Sequence, residues 1–160
     1  MKKDFQIHFE HFTAKNELTE TEISLLETAK KARENAYAPY SDFLVGCAVL
    51  LENGEIFSGN NQENAAFPSG LCAERTAIYW VAANFPNEKI SKIFVVGGPR
   101  ASSGKTPPIP PCGNCRQSLM EYESKQNQNI EIYFASLTDE IFKVASVKDL
   151  LPFYFDSSFL

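Results

Sequence analysis

Residues 130–144, with the sequence IEIYFASLTDEIFKV, decide the predicted topology of this chain. Two short apolar segments, Ile130–Ala135 and Ile141–Val144, are predicted as β-strands because β-branched and aromatic residues dominate them. The link between them, Ser136–Glu140, can close a hairpin, whereas a parallel crossover needs about a dozen residues or more. The last two strands are therefore predicted to be antiparallel.

The segments before this hairpin alternate between helices and strands. Thr19 and Glu22 have the spacing of a capping box, which predicts a helix that runs to about Asn35. The apolar residues expected on its buried face are Ile23, Leu26, Ala29 and Ala32. Further strands are predicted at Phe43–Leu51, Glu55–Gly59 and Ile93–Val96, and further helices at Ala73–Ala83 and from Gly113 to about Lys125.

These elements predict an α/β protein with a single domain, residues 1–160. The expected architecture is a three-layer α/β/α sandwich around a mixed five-stranded sheet with an antiparallel final strand. Residues 1–16 are interpreted as an N-terminal extension with an extra, half-buried strand, because Phe5, Ile7 and Phe9 alternate with polar residues. Residues 147–160 form a C-terminal aromatic segment.

The composition is that of an ordinary globular protein, with 44% hydrophobic and 22% charged residues. Fifteen Lys+Arg against 20 Asp+Glu give a net charge of −5, which argues against a long nucleic acid as substrate. No apolar run approaches the roughly 20 residues of a transmembrane helix, and no secretory signal follows Met1. We therefore expect a cytoplasmic protein that binds a small molecule, with no nucleic-acid or membrane partner.

Three of the four cysteines have the spacing of a metal site. Cys112 and Cys115 form a Cys-x-x-Cys pair one helical turn apart, and Cys72 precedes another predicted helix. Helix N-termini favour the thiolate, which is the form of cysteine that binds metal. Three protein ligands leave one tetrahedral position for water, as in catalytic Zn²⁺ sites. Cys47, alone in an apolar strand, is interpreted as a core residue.

Other interpretations of these cysteines stay open at this point. They could be plain buried thiols, or they could belong to a closed zinc ribbon. A ribbon usually supplies two Cys-x-x-Cys pairs, and this chain has one. The corresponding function would be a zinc module that mediates protein contacts without catalysis.

Charged residues beside the cysteines indicate hydrolytic chemistry. Glu74 follows Cys72 by two residues, which turns its carboxyl away from ligation while keeping it near the open position. Zinc lowers the pKa of water from about 15.7 to near 7, so Glu74 is predicted to be catalytic as a proton carrier. Arg75 and Arg116 are predicted to donate to the sulfurs and offset the negative charge of three thiolates. Either arginine could instead be a surface residue, and Glu74 could simply satisfy the helix dipole.

The metal motif leads to a family resemblance that covers about residues 20–155. A non-ligand glutamate beside one ligand and a Pro-Cys-x-x-Cys segment are the known signature of zinc deaminases, seen here at residues 72–74 and 111–115. The residue before Ala73-Glu74 is a cysteine rather than a histidine, and in this respect the sequence resembles the free-nucleoside cytidine deaminases. The resemblance implies one Zn²⁺ per subunit and deamination of cytidine and 2′-deoxycytidine in pyrimidine salvage.

The resemblance also implies a substrate-binding set. Residues 36–46, AYAPYSDFLVG, are similar to the family's leading segment, in which the residue matching Phe43 lines the pyrimidine pocket. Residues 59–65, GNNQENA, are similar to its ribose-binding segment, so Asn61 and Glu63 are expected to hydrogen-bond the sugar hydroxyls, whereas the residues taken alone could equally be polar loop residues. The backbone of Ala73 is expected to help hold the base.

The C-terminal residues 150–155, LLPFYF, resemble the family segment whose last phenylalanine reaches a neighbouring subunit's active site. Phe155 is therefore an expected substrate-binding residue, and the assembly an expected homotetramer. An aromatic tail of this kind exposes more apolar surface than a monomer usually leaves in water. Alternatively, the tail folds back on its own domain.

Two departures from the family pattern bear on the site. Gln62 stands where an aliphatic residue is usual, and residues 99–110 form a longer loop than expected, which could reshape access to the site. The closest rival function is deamination of a cytosine-containing antibiotic resembling blasticidin. Asn61 and Glu63 favour a ribonucleoside over it, and the net charge and the antiparallel final strand disfavour a polynucleotide substrate.

Overall fold

The computed structural model describes residues 1–101 and 106–160, so residues 102–105 of the long loop predicted at 99–110 lie outside the described residues. The strands are β1 (Glu10–Phe12), β2 (Phe43–Leu51), β3 (Ile56–Asn60), β4 (Ile90–Pro99), β5 (Glu131–Ala135) and β6 (Ile141–Val144). The α-helices are α1 (Glu20–Glu34), α2 (Ala73–Asn84) and α3 (Gly113–Gln126). Single 3₁₀ turns occur at Lys15–Glu17, Phe67–Ser69, Val147–Asp149 and Ser157–Phe159. Within the described ranges, no helix has both the length and the apolar character needed to cross a bilayer.

The strands form one mixed sheet in the order β1-β6-β5-β4-β2-β3. β4 and β5 are parallel, and every other neighbouring pair is antiparallel. The hairpin predicted from residues 130–144 is confirmed, with Ile132 opposite Val144 and Ala135 opposite Ile141. The α/β class and the antiparallel final strand are therefore confirmed.

The predicted strand count of five is wrong, because β1 adds a sixth strand along the outer edge of β6. Its residues Glu10 and His11 lie opposite Lys143 and Phe142. The extra strand was expected over Phe5–Phe9, where the side chains prove to be exposed. Alternation of apolar and polar residues shows which segments suit a β-strand. It does not show which residues will pair with the free edge of a neighbouring strand, here β6.

The sheet separates two cores. α1 covers one face, and its capping box is confirmed because Thr19 Oγ1 accepts from the Glu22 backbone N–H while the Glu22 carboxyl accepts from the Thr19 N–H. Its buried residues also include Leu25, which the predicted apolar face omitted, whereas Ile23 is only partly buried. α2 and α3 cover the other face around a second core that includes Cys47, confirming its assignment as a core residue.

Two glycines let the helices approach the sheet closely. A Cβ on Gly46 would lie 1.9 Å from the Ala29 carbonyl oxygen of α1. A Cβ on Gly59 would lie 2.6 Å from the Ala77 nitrogen of α2. No side chain fits at either distance, so these positions set how closely α1 and α2 pack on opposite faces of the sheet.

Candidate active site

Two of the predicted metal ligands cap the N-termini of helices. Cys72 precedes α2 and Cys112 precedes α3, both with extended backbone, and their carbonyls accept the first hydrogen bonds of the helices from Thr76 and Arg116. Cys115 lies in the first turn of α3 and is completely buried. The positive ends of two helices thus converge on one cluster of sulfur atoms, which favours thiolates there.

The sulfur geometry fits one zinc ion. The Cys112 sulfur lies 3.8 Å from that of Cys72 and 3.5 Å from that of Cys115, and all three ligand atoms lie within 4.8 Å of one another. Tetrahedral zinc with Zn–S bonds of about 2.3 Å places its sulfurs about 3.8 Å apart. These are the residues predicted to hold Zn²⁺, and the structure places them to bind a metal ion.

The cluster favours deprotonated sulfur at Cys72. Hydrogen bonds from the Cys115 thiol and from Arg75 together lower the pKa of Cys72 to about 5, against the opposing effect of burial. The hydrogen bond between Cys115 and Cys72, together with burial, raises the pKa of Cys115. A ready thiolate at Cys72 gives an incoming cation its first anionic ligand.

Glu74 lies beside the sulfur cluster, in contact with Cys115, and only 4% of its surface is exposed. Burial raises its pKa to about 7, and the negative charge of Cys72 adds to this effect, while hydrogen bonds from its own backbone and Cys115 oppose it. A carboxyl group with a pKa near 7 can both accept and release a proton at neutral pH. This is the property required of the predicted proton carrier.

The two predicted charge-balancing arginines lie in different surroundings. Arg75 points one Nη2 donor at the Cys72 sulfur, 3.9 Å away, and at the Gly70 carbonyl, 3.4 Å away. Arg116 instead donates to the backbone carbonyls of Pro111 and Leu150, at 2.8 and 2.9 Å. Its guanidinium thus joins the loop before α3 to the C-terminal segment rather than contacting a sulfur.

A pocket of about 290 Å³ opens beside Cys72 and Arg75. It is lined by Tyr40, Asn61, Gln62, Glu63, Asn64, Phe67, Gly70, Leu71, Cys72 and Arg75. Its volume is close to the roughly 300 Å³ at which small-molecule sites begin. The predicted sugar-binding residues Asn61 and Glu63 therefore share one pocket with a metal ligand.

The carboxyl of Glu63 is held in place by the chain before β2. Its Oε2 accepts hydrogen bonds from the backbone N–H groups of Tyr40 and Ser41, at 2.9 and 3.3 Å. Hydrogen bonds from the Ser41 side chain and the Tyr40 backbone lower the pKa of Glu63. The group is thus an ionised, oriented acceptor beside the pocket.

The other predicted substrate residues do not line this pocket. Phe43 begins β2 with its ring against β4, where a Cβ on Gly97 would lie 3.3 Å from its Cε1. Ala73 is fully buried in the first turn of α2. Phe155 is 55% exposed, its ring stacks on Phe159 at 5.5 Å, and its carbonyl accepts from Gln117 Nε2 of α3 at 2.8 Å.

Two residues hold the backbone near the site although no sequence pattern predicts this role for them. Arg33 of α1 binds backbone carbonyls at the ends of β2 and β4, and Gln117 holds the backbone of Phe155. Both contacts join residues distant in sequence, 65 residues apart for Arg33 and Gly98. Tyr40 is different, since it lies inside the recognised segment 36–46 and lines the pocket.

The site lies on a mixed sheet and combines three cysteine sulfurs at two helix N-termini with a buried glutamate beside them. These features define a zinc-dependent hydrolase. A family model described as the cytidine and deoxycytidylate deaminase zinc-binding region matches residues 19–129. The chain belongs to this family of deaminases, which confirms the recognised resemblance.

Named proteins and a solved structure agree with this assignment. The chain is 38% identical over 128 residues to a cytidine deaminase of Sporosarcina psychrophila, covering 80% of this chain and 86% of that protein. It is 35% identical over 128 residues to a cytidine deaminase of Halalkalibacterium halodurans, covering 80% and 89%. The crystal structure of cytidine deaminase from Burkholderia pseudomallei superimposes with a TM-score of 0.71 at 38% identity, covering 86% of this chain and 100% of that chain.

Proposed function

We propose that this protein hydrolyses cytidine and 2′-deoxycytidine to uridine and 2′-deoxyuridine with release of ammonia. The observation that carries the proposal is a buried glutamate, Glu74, which interacts with Cys72 and Cys115 of three sulfurs that have the spacing of a zinc site. The relatives that share most of the chain bear the name cytidine deaminase, which supports the choice of substrate.

The ligands for the metal are Cys72, Cys112 and Cys115. Zinc bound by these sulfurs supplies a Lewis acid that makes water acidic enough to lose a proton near pH 7. Glu74 takes up that proton and delivers it to N3 of the pyrimidine. It then takes the second proton of the former water from the new hydroxyl on C4 and delivers it to the amino group leaving C4. The balanced result is cytidine plus water giving uridine plus ammonia, with Glu74 returned to its starting state.

Arg75 keeps the electron-rich metal centre electrophilic. Three thiolates on a divalent cation leave a net negative charge, and the donor that Arg75 directs at Cys72 withdraws electron density from that sulfur. Arg116 takes a different role in this proposal, since its bonds to Pro111 and Leu150 tie the C-terminal segment to the metal-bearing helix.

Substrate recognition is proposed to follow from the pocket beside the metal. Glu63 has one carboxylate oxygen committed to Tyr40 and Ser41, and its second oxygen is available to accept from a sugar hydroxyl. Asn61 keeps one amide hydrogen and one lone pair beyond its two bonds to β2. Phe43 and the Ala73 backbone lie outside this sugar pocket, and we propose that they contact the pyrimidine ring, with Phe43 bounding it and Ala73 helping to hold it.

The wider setting is also part of the proposal. One domain spanning residues 1–160 acts as a cytoplasmic enzyme of pyrimidine salvage. It assembles as a homotetramer in which Phe155 completes a neighbouring subunit's site. The exposed rings of Phe153, Phe155 and Phe159 support an assembly that covers them.

The direct test is turnover by the purified, zinc-loaded protein. Loss of absorbance at the cytidine band should accompany release of one ammonia per nucleoside, with cytidine and 2′-deoxycytidine as substrates. Cytidine 5′-monophosphate and blasticidin serve as comparison compounds. A protein with one bound zinc that releases no ammonia from either nucleoside would contradict the proposal, and preferred turnover of blasticidin would redirect it.

A further inference from the structure

The side chain of Arg33 binds only backbone carbonyls in the part of the chain that the structure describes. From the last turn of α1, its Nε donates to the Leu44 carbonyl at 3.1 Å. Its Nη2 donates to the carbonyls of Gly98 and Pro99, at 2.9 and 2.7 Å. Leu44 and Gly98 lie opposite each other in the β2–β4 ladder. One guanidinium therefore holds the first residues of β2 and the last residues of β4 together.

Asn61 holds the same end of β2 from the other side. The β2–β3 ladder stops where Gly46 faces Asn60, and β2 continues beyond it to Phe43. The Asn61 amide replaces the missing strand, because its Oδ1 accepts from the Val45 N–H at 2.8 Å and its Nδ2 donates to the Phe43 carbonyl at 2.9 Å. A side-chain amide has the same donor and acceptor as a peptide group, so it can extend a ladder by one step.

Three consecutive residues of β2 are therefore fixed by side chains from other elements. The Phe43 carbonyl and Val45 N–H bind Asn61, and the Leu44 carbonyl binds Arg33. The Phe43 ring lies against Gly97, where an added Cβ would be 3.3 Å from the ring atom Cε1 and would require the ring to shift. The backbone of this short segment thus sets the position of the ring.

We propose that Arg33 is a positioning residue for the reaction, acting through Leu44 to hold the Phe43 ring where it bounds the pyrimidine. This inference rests on the proposed function, in which Phe43 contacts the base. Arg33 does not touch the substrate, since α1 packs on the sheet face opposite the helices that carry the cysteines. It acts on the site through the sheet.

Arginine suits this role better than lysine. Its planar guanidinium presents donors in a fixed fork and can serve two strands at once, whereas a lysine ammonium is a compact group on a flexible stem. Without the guanidinium, three carbonyls lose a charge-assisted hydrogen bond, two of them at partly buried positions. The end of β2 then gains freedom that the rest of the strand does not share.

The test compares Arg33→Met with Lys31→Met, which removes a positive charge from an exposed position of the same helix turn. For Arg33→Met we expect the KM for cytidine to rise about tenfold with kcat reduced less than about threefold, because ring position affects binding of the base. Amide hydrogen exchange at residues 43–45 should become faster in this variant, with zinc content unchanged. Lys31→Met should match the wild type in all three measurements.

A second substitution keeps the test decisive if Arg33→Met does not fold. Arg33→Lys should give an intermediate KM and intermediate exchange at residues 43–45. The proposal is overturned if exchange becomes faster while KM stays at the control value, or if neither measurement changes. If the wild type does not turn over cytidine, the proposed function fails by itself, and the exchange comparison alone decides whether Arg33 holds this segment.

Discussion

The Nη2 atom of Arg75 lies 3.9 Å from the sulfur of Cys72, one turn away at the start of the same helix. Its Nε is buried and has no hydrogen-bond partner among the described residues. A partly buried guanidinium beside a ligand sulfur is costly unless the sulfur is anionic. The contact between Arg75 and Cys72 therefore places a compensating positive charge, from a residue that is not a ligand, beside the anionic metal centre.

We predict that Arg75→Gln lowers kcat for cytidine roughly 10- to 100-fold while zinc stays bound, because the thiolate loses its compensating charge. Arg75→Lys should keep more of the activity, since a cation remains near the sulfur. Steady-state kinetics and metal analysis on the same preparations provide the measurement. Equal kcat values for wild type and Arg75→Gln would show that this donor does not tune the metal.

Glu74→Gln should keep the fold and the zinc but lose activity by a factor of about 10² to 10⁴, because the amide cannot carry the proton. The substitution replaces a buried group of nearly equal size, so the melting temperature should not fall. Glu121→Gln, at an exposed position of α3, is the matched control and should retain full activity. Near-normal turnover by Glu74→Gln would contradict the role of proton carrier.

Metal removal should be visible in the reactivity of the thiols. A chelator is expected to abolish turnover and to expose Cys72 and Cys112 to a thiol reagent, and added zinc should reverse both effects. Cys47 and Cys115 are completely buried and should stay unreactive in the folded protein. The Cys47→Ala variant should therefore show the same gain in reactive thiols. No gain on metal removal would mean that Cys72 and Cys112 are not metal ligands.

Acid should destabilise the protein through Glu22. Burial alone would raise its pKa, but hydrogen bonds from Tyr133, Thr19 and Lys92 outweigh it and lower the pKa from 4.5 to about 2. A lowered folded-state pKa stabilises the protein above pH 4.5, and this contribution is lost as the pH falls from 4.5 towards 2. We expect a loss of about 2 kcal/mol in the free energy of unfolding over that range.

The measurement is denaturant unfolding of wild type, Glu22→Gln and Glu20→Gln at several pH values. Glu20 lies in the same first turn but is exposed, so its variant should follow the wild type. Glu22→Gln should be less stable at pH 7 and should lose less stability on acidification. Parallel curves for all three proteins would show that Glu22 does not carry this pH dependence. Acid release of zinc affects all three alike and cancels in the comparison.

Completion of each site by a neighbouring subunit can be tested by mixing two inactive variants. We predict that Phe155→Ala and Glu74→Gln each have low activity alone. Hybrids assembled from both should recover part of it, because a subunit with intact Glu74 then meets a neighbour with intact Phe155. Light scattering on the wild type gives the oligomeric state. A monomer, or hybrids with no gain in activity, would show that Phe155 serves its own chain.

Much of the site could be predicted because its residues are close in sequence. Cys72 and Glu74 share one turn, as do Cys112 and Cys115, so helix geometry fixes their local relation before the fold is known. That two such turns serve one ion follows from the chemistry of zinc, which rarely accepts a lone Cys-x-x-Cys pair. The strand limits at Phe43–Leu51 were predicted correctly because this segment is almost uniformly apolar and lies between Asp42 and Glu52. The limits of Ile141–Val144 were predicted correctly because β-branched and aromatic residues dominate a short segment after the five-residue link.

Long-range contacts of polar side chains could not be predicted in this way. Arg116 was expected at a sulfur and instead binds the carbonyls of Pro111 and Leu150. Arginine has five donors and a long, flexible stem, so its position in the sequence leaves many acceptors within reach. The N-terminal strand was misplaced for a related reason, since its position depends on the free edge of β6.

The sequence by itself determined the antiparallel final hairpin, the three cysteines of the metal centre and the glutamate beside them. These features depend on the length of a link and on spacings within single helical turns, which are local properties of the chain. Only the tertiary structure decided where the N-terminal strand joins the sheet, the burial that raises the pKa of Glu74 to about 7, and the fixing of Phe43 by Arg33 and Asn61. Burial and backbone contacts of this kind arise when distant segments pack together, and no local pattern of residues encodes them.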